Sequence, residues 1–162
     1  MNKFKELSKE KVSLVESKIS NEWKQMDILN QTINNRKDCK NFVFYDGPAT
    51  ANGMPGLHHM LAKLLKDTFC KYKTMQGYRV IRKAGWDTHG LPVELEVEKE
   101  LGFTSKTDIE KYGIEAFNKK CKESVFRNEE AFRQYTDKMG QFIDLDHAYV
   151  TYDNNYIETV WW

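Results

Sequence analysis

Residues 42–67, FVFYDGPATANGMPGLHHMLAKLLKD, constrain the fold more than any other part of the chain. An alternating apolar run (Phe42, Phe44) breaks at Asp46-Gly47-Pro48, crosses a small-residue loop with Gly53, Pro55 and Gly56, and enters a helical apolar period at His58-His59. The pattern predicts a strand, a glycine-rich loop and a helix. A helix that starts after such a loop points unpaired N–H groups and a positive dipole end at the loop's contents, which suits an anion such as phosphate. His58 and His59 stand at that entrance, where an imidazole can donate to a phosphate oxygen and stabilise charge that develops in phosphoryl or nucleotidyl transfer. The same turn also occurs in α/β domains without a ligand, so its meaning depends on a second motif.

That motif is GWDTHGLPVE, Gly85 to Glu94, read as a polar loop after a second strand-like run, Tyr78 to Arg82. Loops that follow parallel strands open at one carboxyl edge, where open α/β sheets bind ligands. Asp87 and His89 are therefore expected to face His58 and His59.

The 162 residues suffice for one domain with a real core, and 40% hydrophobic with 30% charged residues fits a soluble globular protein. The sequence contains no apolar run of the roughly 20 residues needed to span a bilayer. No signal-peptide core follows the lysine-rich start, so no membrane association is expected and the cytoplasm is the expected compartment. Cys39, Cys70 and Cys121 have neither disulfide nor zinc spacing and read as free thiols. A net charge of +1 argues against a strongly basic polyanion-binding module. Lys63, Lys66, Lys71, Lys73, Arg79, Arg82 and Lys83 form a local basic cluster, read first as a solvated helix face and second as a phosphate-backbone contact.

Helical spacing places a helix from Leu7 to Ile19 and another after Ser20 with Trp23, Met26 and Ile33 inward. A polar turn covers 34–40. The helix from His58 to Met75 is expected to bury Leu61, Leu64, Leu65, Thr68, Phe69 and Tyr72. Pro92 at a first helical turn leads into Val93, Val97 and Leu101; Val93, Leu95 and Val97 also alternate, leaving a strand open, though the density of Glu and Lys favours helix. Gly102 closes that element, and Thr107 with Glu110 predicts a capping box. One long helix is expected over Ile114–Met139, with Phe117, Cys121, Val125, Phe132, Tyr135 and Met139 inward. A strand follows over His147–Tyr152, then a helix capped by Asn155 and Glu158 whose apolar pattern is still running at Trp162. That pattern reads as a domain that continues beyond these residues.

DGPATANG followed by GLHH, then YKTMQGYRVIRKAGWDTHGLPVELEVEKELG, resembles the first half of the catalytic domain of isoleucyl-tRNA synthetases, class I aminoacyl-tRNA synthetases. GWDTHGLPVE is the most specific piece, and the resemblance runs from about Trp23 to Trp162. It implies an α/β, Rossmann-like half-domain with a parallel sheet and flanking helices over 41–162, preceded by a helical segment over 1–40. It further implies condensation of isoleucine with ATP, accompanied by Mg²⁺, to isoleucyl-adenylate, and transfer to tRNA(Ile). By this resemblance Gly47 and Pro48 wall the amino-acid pocket, with Ala49 where a second proline is usual. Asp87 pairs with the substrate ammonium, and Trp86 and His89 orient the loop. Asn52, Gly53, Gly56, His58 and His59 hold ATP, the two histidines being catalytic.

The family's usual signature is His-x-Gly-His, whereas this chain has Gly56-Leu57-His58-His59, resembling a Gly-x-His-His subgroup. His59 keeps the last histidine's place; His58 stands where a glycine lets adenine approach the backbone, so its side chain must turn away or displace the nucleotide. Adenylate mimics such as mupirocin are expected to bind such a site poorly. The Lys-Met-Ser-Lys-Ser loop, editing domain, zinc ligands and anticodon-binding helices are not found in these residues. The chain alone is therefore expected to be inactive without a complementary C-terminal half. A non-catalytic module that binds adenylate or a partner, and an incomplete translation product, are the competing readings.

Overall fold

The computed structural model describes residues 9–50 and 53–162. In chain order the elements are α1 (Val12–Gln25), α2 (Ile28–Asn34), β1 (Asn41–Tyr45), β2 (Ala49–Thr50), α3 (Leu57–Met75), β3 (Arg79–Asp87), α4 (Leu91–Leu101), α5 (Lys106–Tyr112), α6 (Ile114–Val125), α7 (Glu129–Lys138), β4 (Asp144–Val150) and α8 (Asn154–Trp161). The expected α/β class with a parallel sheet and flanking helices is present.

Every strand pairs with β3, and every pairing is parallel. Asn41–Tyr45 run in register with Arg79–Lys83, Ala49 and Thr50 with Trp86 and Asp87, and Gly85 and Trp86 with Tyr149 and Val150. Val80, Arg82, Ala84 and Trp86, which alternate along β3 and share one face, are buried, whereas Arg79, Ile81 and Lys83 on the other face are half-buried. Trp86 meets Phe132 of α7 edge-on at 6.0 Å, with Ala49, Phe126, Leu145, Ala148 and Val150 packed around the pair. The register slips between Lys83 and Gly85, and there Tyr149 lies across the strand. A Cβ on Gly85 would overlap the Tyr149 ring, whose hydroxyl donates to the Asp46 carbonyl at 2.6 Å.

Several boundaries differ from expectation. The first helix passes through Ser20 and breaks at Asp27, which takes a left-handed φ of 48° with the Asn30 amide donating to its carboxylate. The expected start at Leu7 lies outside the described residues, but residues 9–11 are not helical: Lys11 is extended and caps a helix that begins at Val12. Trp23 reaches Phe142 edge-on at 5.1 Å, but Met26 is exposed. β3 runs through Gly85, Trp86 and Asp87, because β2 and β4 supply ladder partners there; the loop is only Thr88–Gly90. The 91–101 segment is helix, closed by left-handed Gly102. Ser105 and Asp108, not Thr107 and Glu110, make the next capping box. The long helix is two, separated at Phe126–Asn128, where Phe126 turns to pack beside Trp86 and Phe132. The last strand spans Asp144–Val150, and Asp153 rather than Asn155 caps the final helix.

The largest departure concerns α3. Its buried residues are Lys63, Asp67, Cys70 and Thr74, while Leu61, Leu64, Leu65, Phe69 and Tyr72 are exposed. The expected inner stripe faces out. What draws the polar face inward is Arg82 of β3, itself 3% exposed. Its guanidinium donates to Thr74 Oγ1 at 2.8 Å and the Phe142 carbonyl at 3.1 Å, and lies 3.7 Å from the Asp67 carboxylate. Asp67 also accepts the Phe142 N–H at 3.1 Å and pairs with Lys71 at 2.6 Å. Buried charges persist only when paired and hydrogen-bonded, and this network provides both. The basic cluster is thus mostly committed inside the fold, and the solvated-face reading fails for Lys63 and Arg82.

Candidate functional site

The strand–loop–helix unit encloses a cavity of about 580 Å³ at the carboxyl end of β1. Asp46, Gly47, Pro48, Ala49, Thr50, Gly53 and Met54 form one wall; His58, His59, Ala62, Lys63 and Lys66 of α3 form the other, with Pro92 and Phe132 closing it. The α3 wall residues recur at helical spacing, so one face of the helix looks into the cavity. The sequence-predicted Gly47, Pro48, Gly53, His58 and His59 are brought together here. Asn52 lies outside the described residues.

Gly56 is the N-cap of α3 and organises its entrance. Its N–H donates to His59 Nδ1 at 3.0 Å, while its carbonyl accepts the His59 N–H at 3.0 Å and the Tyr135 hydroxyl at 3.1 Å. The imidazole thus does what a Glu does in a capping box. With Nδ1 accepting, a neutral His59 carries its proton on Nε2. Burial first, then the neighbouring His58 and Lys63, push the His59 pKa down from its ordinary value, favouring that neutral form. The ring sits edge-on to Phe132 at 5.2 Å and 3.9 Å from the His58 ring.

The exchange of Gly and His in the signature has a steric counterpart. A Cβ at Gly56 would lie 3.1 Å from both Cε1 and Nδ1 of His58, tighter than ordinary contact. His58 occupies the room that glycine at 56 leaves, and it still lines the cavity. Glycine at 56 and histidine at 58 form a steric pair.

Asp46 was passed over in the sequence as a loop breaker, yet it is 6% exposed and anchors the cavity floor. Its carboxylate pairs with Lys66 of α3, and its N–H donates to the Lys83 carbonyl at 2.8 Å. Phe132 and Tyr135 were also missed as site residues; they arrive from α7 and carried only a core signal in sequence.

The second motif divides. Asp87 ends β3 and accepts the Thr50 hydroxyl at 3.2 Å, which joins it to the cavity wall. Trp86 is in the core. His89 does not face the other histidines: its Nδ1 is 2.7 Å from Thr151 Oγ1, and it lines a separate small cavity with Thr88, Val93 and Cys121. Thr151 also accepts the Thr88 N–H at 2.9 Å, and Thr88 Oγ1 accepts the Tyr152 N–H at 3.0 Å. These bonds tie the loop to the end of β4, so His89 and Thr88 hold the loop that follows Asp87. Among the described residues no cluster of three or more His, Cys, Asp or Glu is arranged to hold a metal.

Residues 18–162 match the family described as tRNA synthetases class I (I, L, M and V). Isoleucine–tRNA ligase 2 of Bacillus thuringiensis subsp. konkukian (strain 97-27) is 55% identical over 146 residues, which are 90% of this chain and 14% of that protein. Isoleucine–tRNA ligase of Clostridium novyi (strain NT) is 51% identical over 148 residues, 91% of this chain and 14% of that protein. The chain thus spans about 14% of the length of these curated relatives. Among solved structures, the ternary complex of Agrobacterium radiobacter K84 agnB2 LeuRS-tRNA-LeuAMS is similar with a TM-score of 0.59 at 16% identity, over 88% of this chain and 16% of that one. That likeness concerns the fold alone.

Proposed function

The chain belongs to the class I tRNA synthetase family, and from that premise we propose that it forms the nucleotide-facing, N-terminal part of an isoleucine–tRNA ligase. In that reaction the carboxylate of isoleucine attacks the α-phosphorus of ATP in line. A new P–O bond forms, the bond to the β-phosphate's bridging oxygen breaks, and pyrophosphate leaves; a hydroxyl at the 3′ end of tRNA(Ile) then attacks the acyl carbon, the acyl–phosphate bond breaks, and AMP leaves. Such chemistry depends on positioning and charge stabilisation more than on covalent help from the protein.

The observation that carries the reading is the cavity at the entrance of α3, where His59 is held as a hydrogen-bond donor beside the Gly47–Pro48 wall. His59 Nε2–H would donate to a phosphate oxygen, with the dipole of a 19-residue helix behind it. His58 would lie at the nucleotide's edge, Gly53 would let the nucleotide approach the backbone, and Gly56 would serve the nucleotide through its hold on His59. Asp87, oriented by Thr50, would take the substrate ammonium, next to the Gly47–Pro48 wall for the side chain. Mg²⁺ would enter on the triphosphate: among the described lining residues Asp46 is the only carboxylate, and Lys66 engages it, so the cavity itself offers no ligand set for the ion.

The site is incomplete by this reading, and its missing wall would come from sequence outside these residues. Two features support that. β1 pairs among the described residues with β3 alone, leaving one strand edge open, and the apolar stripe of α3 stands uncovered. The chain by itself is therefore proposed to be inactive in aminoacylation, whatever its affinity for ligand. Calorimetry with a non-hydrolysable isoleucyl-adenylate analogue tests the reading. Saturable binding that Asp87→Ala weakens at least tenfold is expected; equal affinity in the variant would remove Asp87 from the amino-acid site.

A further inference from the structure

Lys63 is a buried cation that the arrangement above leaves without a task. It is 7% exposed, lies on the cavity-facing side of α3 one turn beyond His59, and lines the cavity with it. An ammonium has three donors. Among the described residues its hydrogen bond is one, to the neutral Gln141 Oε1, at a long 3.3 Å. Asp46, the nearby carboxylate, is already engaged by Lys66. The cavity wall thus holds two lysine charges against one carboxylate.

We propose that Lys63 is a phosphate-binding residue of this cavity, so that a phosphate group lies along the α3 face between His59 and Lys63 and not at the helix entrance alone. The inference rests on the nucleotide reading above for the identity of the guest. Its chemistry is that of a desolvated ammonium whose donors await an acceptor: burial first, opposed by Asp46, pushes the Lys63 pKa down, and an anion beside it would restore what lost hydration removed. Lys66 is the contrasting case. One further turn along the same helix, it is half-buried and spends its charge on Asp46.

The test compares inorganic pyrophosphate, AMP and adenosine as probes on the wild-type chain, Lys63→Met and Lys63→Arg. Methionine matches the length of the lysine stem without its charge and is expected to fold, checked by circular dichroism. Pyrophosphate and AMP are expected to shift the Lys63 Cε resonance in spectra of chain labelled at lysine. Lys63→Met is expected to weaken AMP about tenfold, the effect of one charge-assisted hydrogen bond, and to leave adenosine unchanged. Lys63→Arg should keep part of the preference for AMP. An unchanged AMP-to-adenosine ratio in Lys63→Met, anion binding that moves other lysines but not Lys63, or no anion binding by the folded chain overturns the proposal. Pyrophosphate that meets Lys63 while adenosine fails to bind would uphold it and sink the nucleotide reading instead.

Discussion

Along one side of α3, Lys63, Asp67, Cys70 and Thr74 are enclosed by β3 and the 141–143 segment; along the other, Leu61, Leu64, Leu65 and Phe69 stand in solvent, Leu61 at 62% exposure. The usual amphipathic rule would invert this. The difference teaches that an apolar stripe marks the face a helix will bury against something, without saying that the something lies within reach. The polar face is buried where Asp67 and Thr74 meet Arg82, and where Lys63 reaches only the neutral Gln141. The apolar face has no such partner among the described residues.

Breaking the polar side should have the largest effect. Asp67→Ala leaves Arg82 buried without its carboxylate, removes the acceptor of the Phe142 N–H and leaves Lys71 only its hydrogen bond to the Gly140 carbonyl. Removing one member of a buried charge pair costs about 3–5 kcal/mol. Urea denaturation should therefore show a loss of unfolding free energy of that size, and a loss below about 1 kcal/mol would mean that water already reaches Arg82.

How far the sequence could be read follows the same division. The strand–loop–helix unit, the helical 91–101 segment and the Gly102 stop were legible because each rests on local chemistry: glycine where φ is positive, proline in a first turn, periodicity of 3.6. The cavity's glycines and histidines were legible for the same reason. Asp46, Lys63 and Lys66 were not, since composition reveals a basic cluster but not which lysine points inward. The end of β3 was misread because β4, some sixty residues later, supplies its ladder, and Gly85 reads as a loop residue until Tyr149 is seen across it. The break at Phe126–Asn128 has neither glycine nor proline to announce it; packing of Phe126 against the Trp86–Phe132 pair decides it.

The apolar side sharpens the comparison with a smaller expected effect. Leu61→Gln combined with Leu65→Gln should change the chain's stability by no more than about 0.5 kcal/mol, as for solvent-exposed positions. The same pair should reduce self-association in sedimentation velocity, because it breaks up the exposed patch. In a protein of the relatives' full length, where this stripe would be covered, the pair should cost about 2–5 kcal/mol per site. A loss beyond about 2 kcal/mol in the 162-residue chain would show that the stripe is packed already.

His59 sits where the two sides meet, and its effect should be the smallest of the three. Its folded-state pKa is lowered, first by burial and then by His58 and Lys63, with Asp46 and Lys66 on the same cavity wall and the uncharged Phe132 and Tyr135 approaching from α7. A depressed histidine binds fewer protons folded than unfolded in the interval between the two pKa values, so stability rises with pH across that interval. The contribution is fully present above the ordinary histidine pKa near 6.5 and is lost as pH falls through the folded value. The wild-type urea midpoint should therefore fall more between pH 7.5 and 5.5 than that of His59→Gln. Lys63→Met, by removing one neighbouring cation, should bring the wild-type slope part of the way toward the variant's. An identical slope in all three would mean that His59 titrates as it does in the unfolded chain, and that the Gly56 N–H bond to Nδ1 does not hold the neutral ring in place.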